Sequence, residues 1–597
     1  MKFRRPARSC TALLLCAGLA ACATLPPTGT THVVRSVNVV DTVQGQPTGP
    51  RDVFIAGDRI AAVEPAGRRR IPDDATVIDG SGRWLMPGLW DMHAHWYEEA
   101  TLPVFLMHGV TGLRQMRGYP GQYATRARGL EGTPASPRIH LASALVDGPK
   151  PASEPALKAV DEASARDIVR LVAASRADFL KVYDQVPAPA YRALVDEARR
   201  LGVRVEGHVP IALGWEAVSA LGQQRSFEHL HSLMVWASAD PASLHARWLA
   251  YHDELDYNAG ITAAHRRESA AIHHAGYDQF DPDRFASLAA VLRENETWQT
   301  PTCVLWQARK GRLDPGAAPD PRDRLVPRWL VGFWQSWWPA DDPQVVAEDF
   351  ALNDRRIDYC LARTRDLHAA GVPLLAGSDT IMPFVYPGSS LHEELALMVQ
   401  AGLPRLAALQ TATLNPARFI GRDDLGVVRA GALADLVLLQ GDPLADIANT
   451  QRIEAVAIGG RWIDAEARAA GLARIERIQA APAVADRMAE ALGEGGLEAA
   501  FAAHDALCPA PPEQVDCGLF NAWWALAGNL GAEDIDRLLT GLEARAGDDA
   551  DLLVLLAQER LGRNERAPAR RLIARALEVA PGDPWMLQFE RGLGAAP

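Results

Sequence analysis

The sequence lacks the features of a membrane-spanning or nucleic-acid-binding protein. Beyond residue 22, no segment of the 597 residues is long and apolar enough to cross a bilayer. The chain has no basic stripe and a formal net charge of −13, which excludes nucleic acid as the expected partner. Its composition, 48% hydrophobic and 23% charged, is that of an ordinary globular protein, and its length predicts two or three domains.

Cysteine is scarce as well, with seven in the chain. Cys303 and Cys360 stand alone in the sequence, and we interpret them as small buried hydrophobic residues rather than reactive groups. Cys508 and Cys517 bracket a proline-rich loop. A disulfide between them requires an oxidising compartment, so the sequence leaves their pairing open.

Residues 1–22 have the pattern of a targeting segment. A positively charged start precedes an apolar stretch at 11–21, which is too short for a permanent membrane helix. The stretch ends in Leu-Ala-Ala-Cys (19–22), which resembles a bacterial lipobox with Cys22 as the lipidated first mature residue. The resemblance implies a periplasmic lipoprotein that meets the membrane only through a lipid anchor at Cys22, and Ala23 implies sorting to the outer membrane. An ordinary signal peptide, cleaved nearby, is the alternative.

The apolar patterns predict an α/β protein, a (β/α)8 TIM barrel with a β-sandwich assembled from both flanks. Short alternating runs at 32–84 and 426–464 are typical of strands, and we assign 32–87 and 421–470 to the sandwich. Over 88–420, strand-like and helix-like segments alternate, which indicates a parallel barrel. The eight candidate strands lie near 88–95, 109–116, 137–145, 178–184, 204–209, 224–230, 297–305 and 373–380.

The stretch from 230 to 372 holds one strand candidate and is longer than two βα units require. It is rich in tryptophan, namely Trp236, Trp248, Trp306, Trp329, Trp334, Trp337 and Trp338. We interpret these side chains as packing anchors of inserted helices. A lid that supplies an aromatic wall for substrate is the alternative.

The remainder of the chain is predicted to be helical. A single helix over 391–419 is expected to close the barrel. Residues 471–597 have no strand signal, and apolar positions between 553 and 581 fall at the spacing of one tetratricopeptide-like hairpin. Because a stable solenoid needs several repeats, we predict a separable helical domain. It is expected to pack, to bind a protein partner or to contact a second copy, and to supply no chemistry.

Six residues that can bind a metal stand at or near the ends of the candidate strands. His93 and His95 lie two apart on a strand, so both imidazoles project from the same face. A single pair of this kind is weak evidence, whereas an ordered set on successive strands is specific. The other members of the set are Lys181 (if it becomes a carbamate), His208, His229 and Asp379.

The segments that carry these residues resemble the metal-dependent amidohydrolase superfamily over about 32–470. They are Met-Pro-Gly-Leu-Trp-Asp-Met-His-Ala-His (86–95), Asp-Phe-Leu-Lys-Val-Tyr-Asp (178–184), Val-Glu-Gly-His-Val (205–209), Ser-Phe-Glu-His-Leu (226–230) and Ala-Gly-Ser-Asp-Thr (376–380). The lysine on the fourth strand makes the chain most similar to the imidazolonepropionase-related and Xaa-Pro-dipeptidase-like group.

The resemblance implies a centre of two divalent ions, with zinc the expected metal. His93, His95 and Asp379 would hold one ion, and His208 and His229 the other. Carboxylated Lys181 would bridge them. A buried lysine paired with Asp379 or Asp184 is the alternative, because an unmodified and unpaired ammonium is costly to bury.

The resemblance also implies hydrolysis of a C–N bond in a small molecule, a dipeptide or N-acyl amino acid, by a metal-activated hydroxide with Asp379 as general acid and base. Tyr183, His231 and His140 are the candidates for substrate binding, and Asp91 is expected to orient the histidine pair. A cyclic-amide (imidazolonepropionase-like) or ester hydrolase is the alternative, and an inert scaffold is a third. The group's usual Arg-Asp-Met is Arg114-Gln115-Met116 in this chain, which removes the aspartate's polar contact.

Overall fold

The computed structural model describes residues 26–46, 48–153, 155–230, 232–255, 261–310, 318–336, 343–508, 512, 514–528 and 530–594. The targeting segment with Cys22 therefore lies outside the described residues, as do His231, Trp337 and Trp338. Of the helices that the structure describes, none is both long and apolar enough to cross a membrane.

The strands are β1 (His32–Val39), β2 (Pro50–Ala56), β3 (Arg59–Pro65), β4 (Thr76–Asp79), β5 (Trp84–Pro87), β6 (Leu89–Ala94), β7 (Val110–Gln115), β8 (Arg138–Asp147), β9 (Ala156–Lys158), β10 (Phe179–Val182), β11 (Val205–Gly207), β12 (Gln224–Glu228), β13 (Trp298–Thr300), β14 (Leu436–Leu439), β15 (Ile453–Ile458) and β16 (Arg461–Ile463).

The α-helices are α1 (Leu102–Met107), α2 (Pro120–Ala127), α3 (Glu162–Ala173), α4 (Ala188–Leu201), α5 (Trp215–Ala220), α6 (Leu233–Trp236), α7 (Pro241–Glu254), α8 (Ala263–Asp278), α9 (Pro282–Glu294), α10 (Val304–Gln307), α11 (Arg328–Ser336), α12 (Pro343–Ala369), α13 (Ser389–Ala401), α14 (Arg405–Thr411), α15 (Leu414–Ile420), α16 (Ala465–Ala480), α17 (Val484–Leu507), α18 (Phe520–Ala527), α19 (Ala532–Arg545), α20 (Ala550–Gly562), α21 (Arg566–Val579) and α22 (Pro584–Gly594). Short 3-10 helices occupy Glu99–Thr101, Pro321–Leu325 and Ile447–Gln451.

The two flanks of the chain meet in one sheet, in the order β16-β15-β14-β5-β1-β2-β3, with β4 beside β1. β14 joins the flanks by pairing antiparallel with β5. Leu436 and Leu438 of β14 lie in the sheet's own core, while Val437 and Leu439 pack into the barrel core. This alternation is the two-residue period of a strand buried on both faces, and it couples the flanking sheet to the barrel.

The central barrel confirms the predicted α/β fold. Seven parallel strands run in the order β13-β12-β11-β10-β8-β7-β6, and β9 adds to β8. The irregular segment 373–380 fills the eighth position, since Leu375 N–H donates to Gln299 O at 2.9 Å and Met92 N–H donates to Ala376 O at 2.9 Å. Every residue of β6 and β7 is buried, as expected for strands covered on both faces.

Two predicted elements end earlier than the apolar pattern indicates. The expected helix over 391–419 is three helices, α13, α14 and α15. Gly402 ends α13 with a φ of +115°, and Pro404 stands at the N-cap of α14, so the chain turns there. The seventh strand is only Trp298–Thr300, and the residues after it turn into α10.

Both cysteine pairs in the described part of the chain are disulfides. Cys303 and Cys360, 57 residues apart, are joined with their Cα atoms 5.7 Å apart, which corrects their interpretation as isolated hydrophobic residues. Their pairing depends on how α12 packs beside α10, at whose N-cap Cys303 stands, and the local sequence does not reveal this packing. Cys508 and Cys517 are also joined, with Cα atoms 5.5 Å apart.

The inserted segment between β12 and the eighth strand position supplies α6 to α12 and β13. Trp334 is fully buried with Phe384 and Tyr386, which fits the predicted packing role. Trp329, by contrast, is 42% exposed, and its indole N–H donates to Glu98 at 2.7 Å. Trp248 and Trp306 face a cavity, as described below.

The C-terminal helices pack directly on the barrel. The predicted boundary at 471 falls inside α16, whose Leu472 and Ile475 contact the α1 residues Val104 and Met107. Farther along, Gly121 N–H at the start of α2 donates to Asp551 of α20 at 3.2 Å. α20 and α21 form the predicted helical hairpin, whereas its tetratricopeptide character, the separability of this region and its partner binding stay predictions.

Candidate metal centre

β6 and the eighth strand position bring two histidines and an aspartate together. His93 lies on β6 and His95 directly follows it. Asp379 Oδ1 is 3.3 Å from His93 Nε2 and 3.2 Å from His95 Nε2. Among the residues that the structure describes, these three side chains form a group that could hold a metal ion. Each offers one ligand atom, and the three atoms lie within 4.8 Å of one another.

A glycine makes this approach possible. A Cβ on Gly377 would lie 2.6 Å from His93 Cβ and 2.7 Å from His93 N, closer than real side-chain contacts allow. Asp379 itself has a φ of +59°, and His229 has a φ of +62°. Non-glycine residues held in the left-handed region are concentrated at functional sites, where packing maintains the strain.

His208 and His229, which follow β11 and β12, reach the same end of the barrel. Their ring centroids are 5.0 Å apart, and the His229 ring is 4.3 Å from that of His93. Asp379 Oδ2 lies 3.9 Å from His229 Nδ1. Five of the six predicted ligands therefore lie around one volume at the carboxyl ends of the strands, where barrel enzymes have their active sites.

Neighbouring polar side chains orient His93, His208 and His229 through hydrogen bonds to the Nδ1 atom of each ring. His93 Nδ1 lies 2.9 Å from Glu228 Oε2, and His208 Nδ1 lies 2.9 Å from Asp184 Oδ1. His229 Nδ1 is 2.8 Å from Thr302 Oγ1. Bonds of this kind fix the tautomer and the ring orientation of metal-binding histidines.

Asp91 ties β6 to the eighth strand position. Its carboxylate accepts from Ser378 N–H at 2.9 Å, from the Ser378 hydroxyl at 2.5 Å and from His93 N–H at 3.2 Å. Burial raises the pKa of Asp91 to about 7, although these hydrogen bonds lower it. The contacts place Asp91 where it holds the backbone around His93 and Asp379.

Arg114, at the end of β7, is a charged hub beneath the centre. Its guanidinium donates to Glu206 at 3.0 Å, to both oxygens of Glu228 at 2.8 and 3.0 Å, to Ser226 at 2.8 Å and to Thr300 at 3.0 Å. Burial alone would raise the pKa of the Glu228 carboxyl, but Arg114 and other nearby cations hold it below its usual value. The ion pair therefore keeps Glu228 ionised toward His93.

Lys181, on β10, is 1% exposed. Burial lowers the pKa of its ammonium to about 8, although Glu228 and Asp379 raise it. Gly207 on the neighbouring strand leaves room for this side chain, since a Cβ there would lie 2.9 Å from Lys181 Cδ and 2.3 Å from Val182 O. The rival partner Asp184 is engaged by His208.

The three substrate-binding candidates lie in different places. Tyr183 stacks on His208 with ring centroids 4.2 Å apart, and its ring is 6.0 Å from Lys181 Nζ. His140 lies lower on β8, where it stacks on Phe179 at 5.0 Å and sits 3.6 Å from Glu206. His231 lies outside the described residues, and its role stays a prediction.

The donors present fit a divalent metal ion. A tetrahedral ion with bonds of about 2.0–2.2 Å separates neighbouring ligand atoms by about 3.4 Å. The distances of 3.2 and 3.3 Å from Asp379 Oδ1 to the two histidines match this separation. Imidazole and carboxylate are also the ligand types that zinc and related metals accept.

The sequence interpretation missed the residues that support the ligands. Glu228 directly precedes His229, and Thr302 follows β13, but their side chains meet histidines on other strands. In the sequence, Arg114 stood out only because Gln115, the residue after it, replaces the aspartate that is usual in the group. A buried charged residue at a predicted strand end was the available signal for both Arg114 and Glu228.

A cavity of about 190 Å³ adjoins His229 on the side of the inserted helices. We call it the aromatic pocket. It is lined by His229, Leu230, Ser232, Met234, Trp248, Tyr251, His252, Ser269, His273, Tyr277, Trp306, Arg356, Tyr359 and Cys360.

Comparisons with known proteins agree with this geometry. Residues 340–463 match the model of the amidohydrolase family. The chain is similar to a solved structure of a bottromycin amidohydrolase, with 26% identity and a TM-score of 0.55 over 74% of this chain and 90% of the other. These two matches make the chain similar to proteins of the amidohydrolase superfamily.

Other relatives of this amidohydrolase-like chain are more distant. A putative prolidase from Bifidobacterium longum has 20% identity and a TM-score of 0.52 over 75% of this chain and all (100%) of that chain, which supports the fold alone. An adenine deaminase from Rubrobacter xylanophilus is 25% identical over 442 residues, or 72% of this chain. The chain spans 58% of that deaminase's length.

Proposed function

We propose that the protein is a metal-dependent hydrolase of amide bonds in dipeptides or N-acyl amino acids, of the Xaa-Pro-dipeptidase-like branch. The observation that carries this proposal is the convergence of His93, His95 and Asp379 at the carboxyl ends of the barrel strands. His208 and His229 complete a donor set of the type that activates water for hydrolysis. A catalytically inert scaffold has no use for such a buried and oriented set.

In the proposed centre, His93, His95 and Asp379 would hold one divalent ion, His208 and His229 would hold a second, and carboxylated Lys181 would supply a further ligand. Carboxylation requires the neutral amine, and a pKa of about 8 makes that form accessible near neutral pH. The product is an anion, which suits a buried position close to His93 and His229 better than an ammonium does. Bound ions would supply acidity to a water molecule and polarise the scissile carbonyl.

The chain's own residues have separate tasks in the proposed reaction. Asp379 accepts a proton at its carboxylate from the attacking water and returns it to the leaving nitrogen. Glu228 and Asp184 hold the rings of His93 and His208 in place. Tyr183, stacked on His208, stands where its phenol can contact the substrate carbonyl or a carboxylate.

A second candidate is hydrolysis of a C–N bond of a ring system, including cyclic amides. The similarity to an adenine deaminase over 72% of this chain favours it. The same donor set would serve both reactions, so only the choice of substrate separates them. Hydrolysis of an ester at the same site is a further alternative, and the choice of substrate likewise distinguishes it from amide hydrolysis.

The proposal is tested by removing and restoring the metal. Chelation should abolish hydrolysis of a dipeptide and N-acyl-amino-acid library, and reloading with zinc should restore it. Metal analysis should find two ions per chain in the wild type. Lys181→Ala should lose metal and lower kcat by about 100-fold or more, with partial rescue by short carboxylic acids.

The exposed Lys158, on β9, offers a matched control, since Lys158→Ala should keep both metal and kcat. Equal activity of stripped and reloaded protein would contradict the hydrolase proposal. One ion per chain, with an active Lys181→Ala variant, would contradict the two-ion centre and favour a single ion at His93, His95 and Asp379.

We also propose that the protein acts in the bacterial periplasm as an outer-membrane lipoprotein. The two disulfides support an oxidising compartment. Cys22→Ser should move the protein from the membrane fraction to a soluble or unprocessed form, detected by fractionation and immunoblot. Cys10→Ser, within the predicted targeting segment, should leave the distribution unchanged. A Cys22→Ser protein that stays in the membrane fraction would contradict the anchor.

A further inference from the structure

Residues 301–304, which follow β13, support His229 from the neighbouring strand. Thr302 Oγ1 lies 2.8 Å from His229 Nδ1 and 2.8 Å from Pro301 O. A hydroxyl has one proton and a carbonyl only accepts, so the Thr302 hydroxyl donates to Pro301 and accepts from His229. The proton of the His229 ring is therefore on Nδ1, which leaves the lone pair of Nε2 for a metal ion.

Thr302 is held in a strained conformation. Its φ is +51°, in the left-handed region, where a β-branched side chain is disfavoured. Such strain persists only where the surrounding structure imposes it. A return to an ordinary φ would move the hydroxyl relative to His229, whose backbone N–H is fixed separately by Thr300 O at 2.8 Å. The bond between Thr302 and the His229 ring thus depends on what fixes the 301–304 segment.

Glu394, on α13, fixes the backbone of this segment. Its side chain is fully buried, and Oε2 accepts from Val304 N–H at 2.7 Å. Cys303 stands at the N-cap of α10 and supplies no side-chain cap, so the first N–H groups of this helix need another acceptor. Burial raises the pKa of the Glu394 carboxyl to about 8, and the N–H groups of residues 302–304 oppose this rise. A side chain from a distant helix therefore caps α10.

The same segment is tied to a second helix. Cys303 is joined by a disulfide to Cys360 of α12, and α10 packs against both α12 and α13. The 301–304 segment is thus restrained covalently on one side and by a buried hydrogen bond on the other. The disulfide fixes the side chain of Cys303, whereas Glu394 fixes backbone N–H groups. Because φ is a backbone angle, Glu394 is the restraint that bears directly on Thr302.

We propose that Glu394 is a positioning residue of the metal centre, which acts on His229 through the 301–304 backbone and the Thr302 hydroxyl. This inference rests on the proposed function, in which His208 and His229 hold one of the ions. Removing the Glu394 carboxyl releases the segment, lets Thr302 relax and frees the His229 ring to turn. The expected result is weaker binding of one ion and a lower kcat, with KM nearly unchanged.

The first test measures metal binding to the full-length apo protein. Cobalt(II) is titrated and followed by visible absorption, which reports the ligands around the ion. Glu394→Leu should weaken the binding of one ion by about 10-fold or more, and Thr302→Val should do the same. Glu394→Gln should stay close to the wild type, because its amide oxygen can accept from Val304 N–H as the neutral carboxyl does. Glu393→Gln is the matched control, since Glu393 pairs with Arg322 at 2.7 Å and is 39% exposed.

A double variant tests the route of the effect. If Glu394 acts through Thr302, the combination of Glu394→Leu and Thr302→Val should bind cobalt no more weakly than Thr302→Val alone. Two independent effects would multiply instead. Steady-state kinetics on a library substrate should show kcat lowered by about 10-fold and KM within about twofold of the wild type. Circular dichroism and Tm establish folding, and Glu394→Asp, which shortens the reach of the carboxyl, replaces Glu394→Leu if that variant does not fold.

The outcomes separate this inference from the proposed function. Wild-type cobalt affinity in a folded Glu394→Leu or Glu394→Asp protein would overturn the assignment and leave the disulfide as the restraint on the segment. Multiplied losses in the double variant would also overturn it, since Glu394 would then act by another route. Cobalt binding that depends on Glu394 and Thr302, without hydrolysis of any library member, would retain the positioning role and contradict the amide hydrolase.

Discussion

Replacing Asp379 with asparagine is expected to lower kcat by about 10³-fold, with a small change in KM. The asparagine side chain has nearly the same size, so His93 and His95 keep their neighbour at 3.2 to 3.3 Å. An amide oxygen does not take up a proton as a carboxylate does, and transfer from the attacking water to the leaving nitrogen is lost. The measurement is the steady-state rate on a substrate of the wild type, together with the metal content of the variant.

Asp423→Asn is the matched control for this change. Its carboxylate is 98% exposed and lies far from the barrel strands in the sequence, so kcat and metal content should equal those of the wild type. Loss of activity with normal metal content would support the proton-transfer role of Asp379. Loss of both would support its role as a ligand. A variant with more than one tenth of the wild-type kcat would contradict both roles.

Arg114→Met is expected to have the largest effect on stability. The guanidinium neutralises Glu206 and Glu228, which are both fully buried. Its removal leaves Glu228 without its arginine partner and leaves Glu206 with Arg204 at 3.3 Å. Breaking a buried ion pair by removing one partner costs about 3–5 kcal/mol in the free energy of unfolding. Since Glu228 also orients His93, metal affinity should fall with the stability. Denaturant unfolding and metal titration measure the two effects.

The added variants Glu206→Gln and Glu228→Gln distinguish charge from shape. Combined with Arg114→Met, they remove the buried charges and should restore part of the lost stability, but not the metal affinity that depends on Glu228. Arg487→Met, in an exposed pair with Glu490, should leave the unfolding midpoint unchanged. A stable Arg114→Met protein with normal metal affinity would contradict the hub role of Arg114.

The sequence predicts well those features that depend on a short repeat of side chains along one strand or helix. His93 and His95 share a face because strand side chains alternate, and the eight candidate strands of the barrel follow from short apolar runs. The order of the ligands along the chain places them at successive strand ends. Their convergence on Asp379 follows once a parallel barrel is accepted, since the carboxyl ends of its strands meet on one face.

The patterns that sequence concealed join residues on different elements. Arg114 meets Glu228 from 114 positions away, and the Cys303–Cys360 disulfide spans 57. No local period reports such a pair, because the contact depends on how whole elements pack. The predicted helix over 391–419 was wrong in a different way. Its apolar period continues through Gly402 and Pro404, and the backbone preferences of these two residues override that period.

By itself, the sequence determined the barrel class, the composite sheet from both flanks and the set of residue types that could hold a divalent metal ion. The tertiary structure decided which side chains orient the ligands, how α12 is fixed to the barrel and what lines the cavity beside His229. The physical reason is the range of the interactions. Periodicity and turn chemistry act between near neighbours, whereas neutralising a buried charge or closing a pocket requires partners brought together only when distant segments pack.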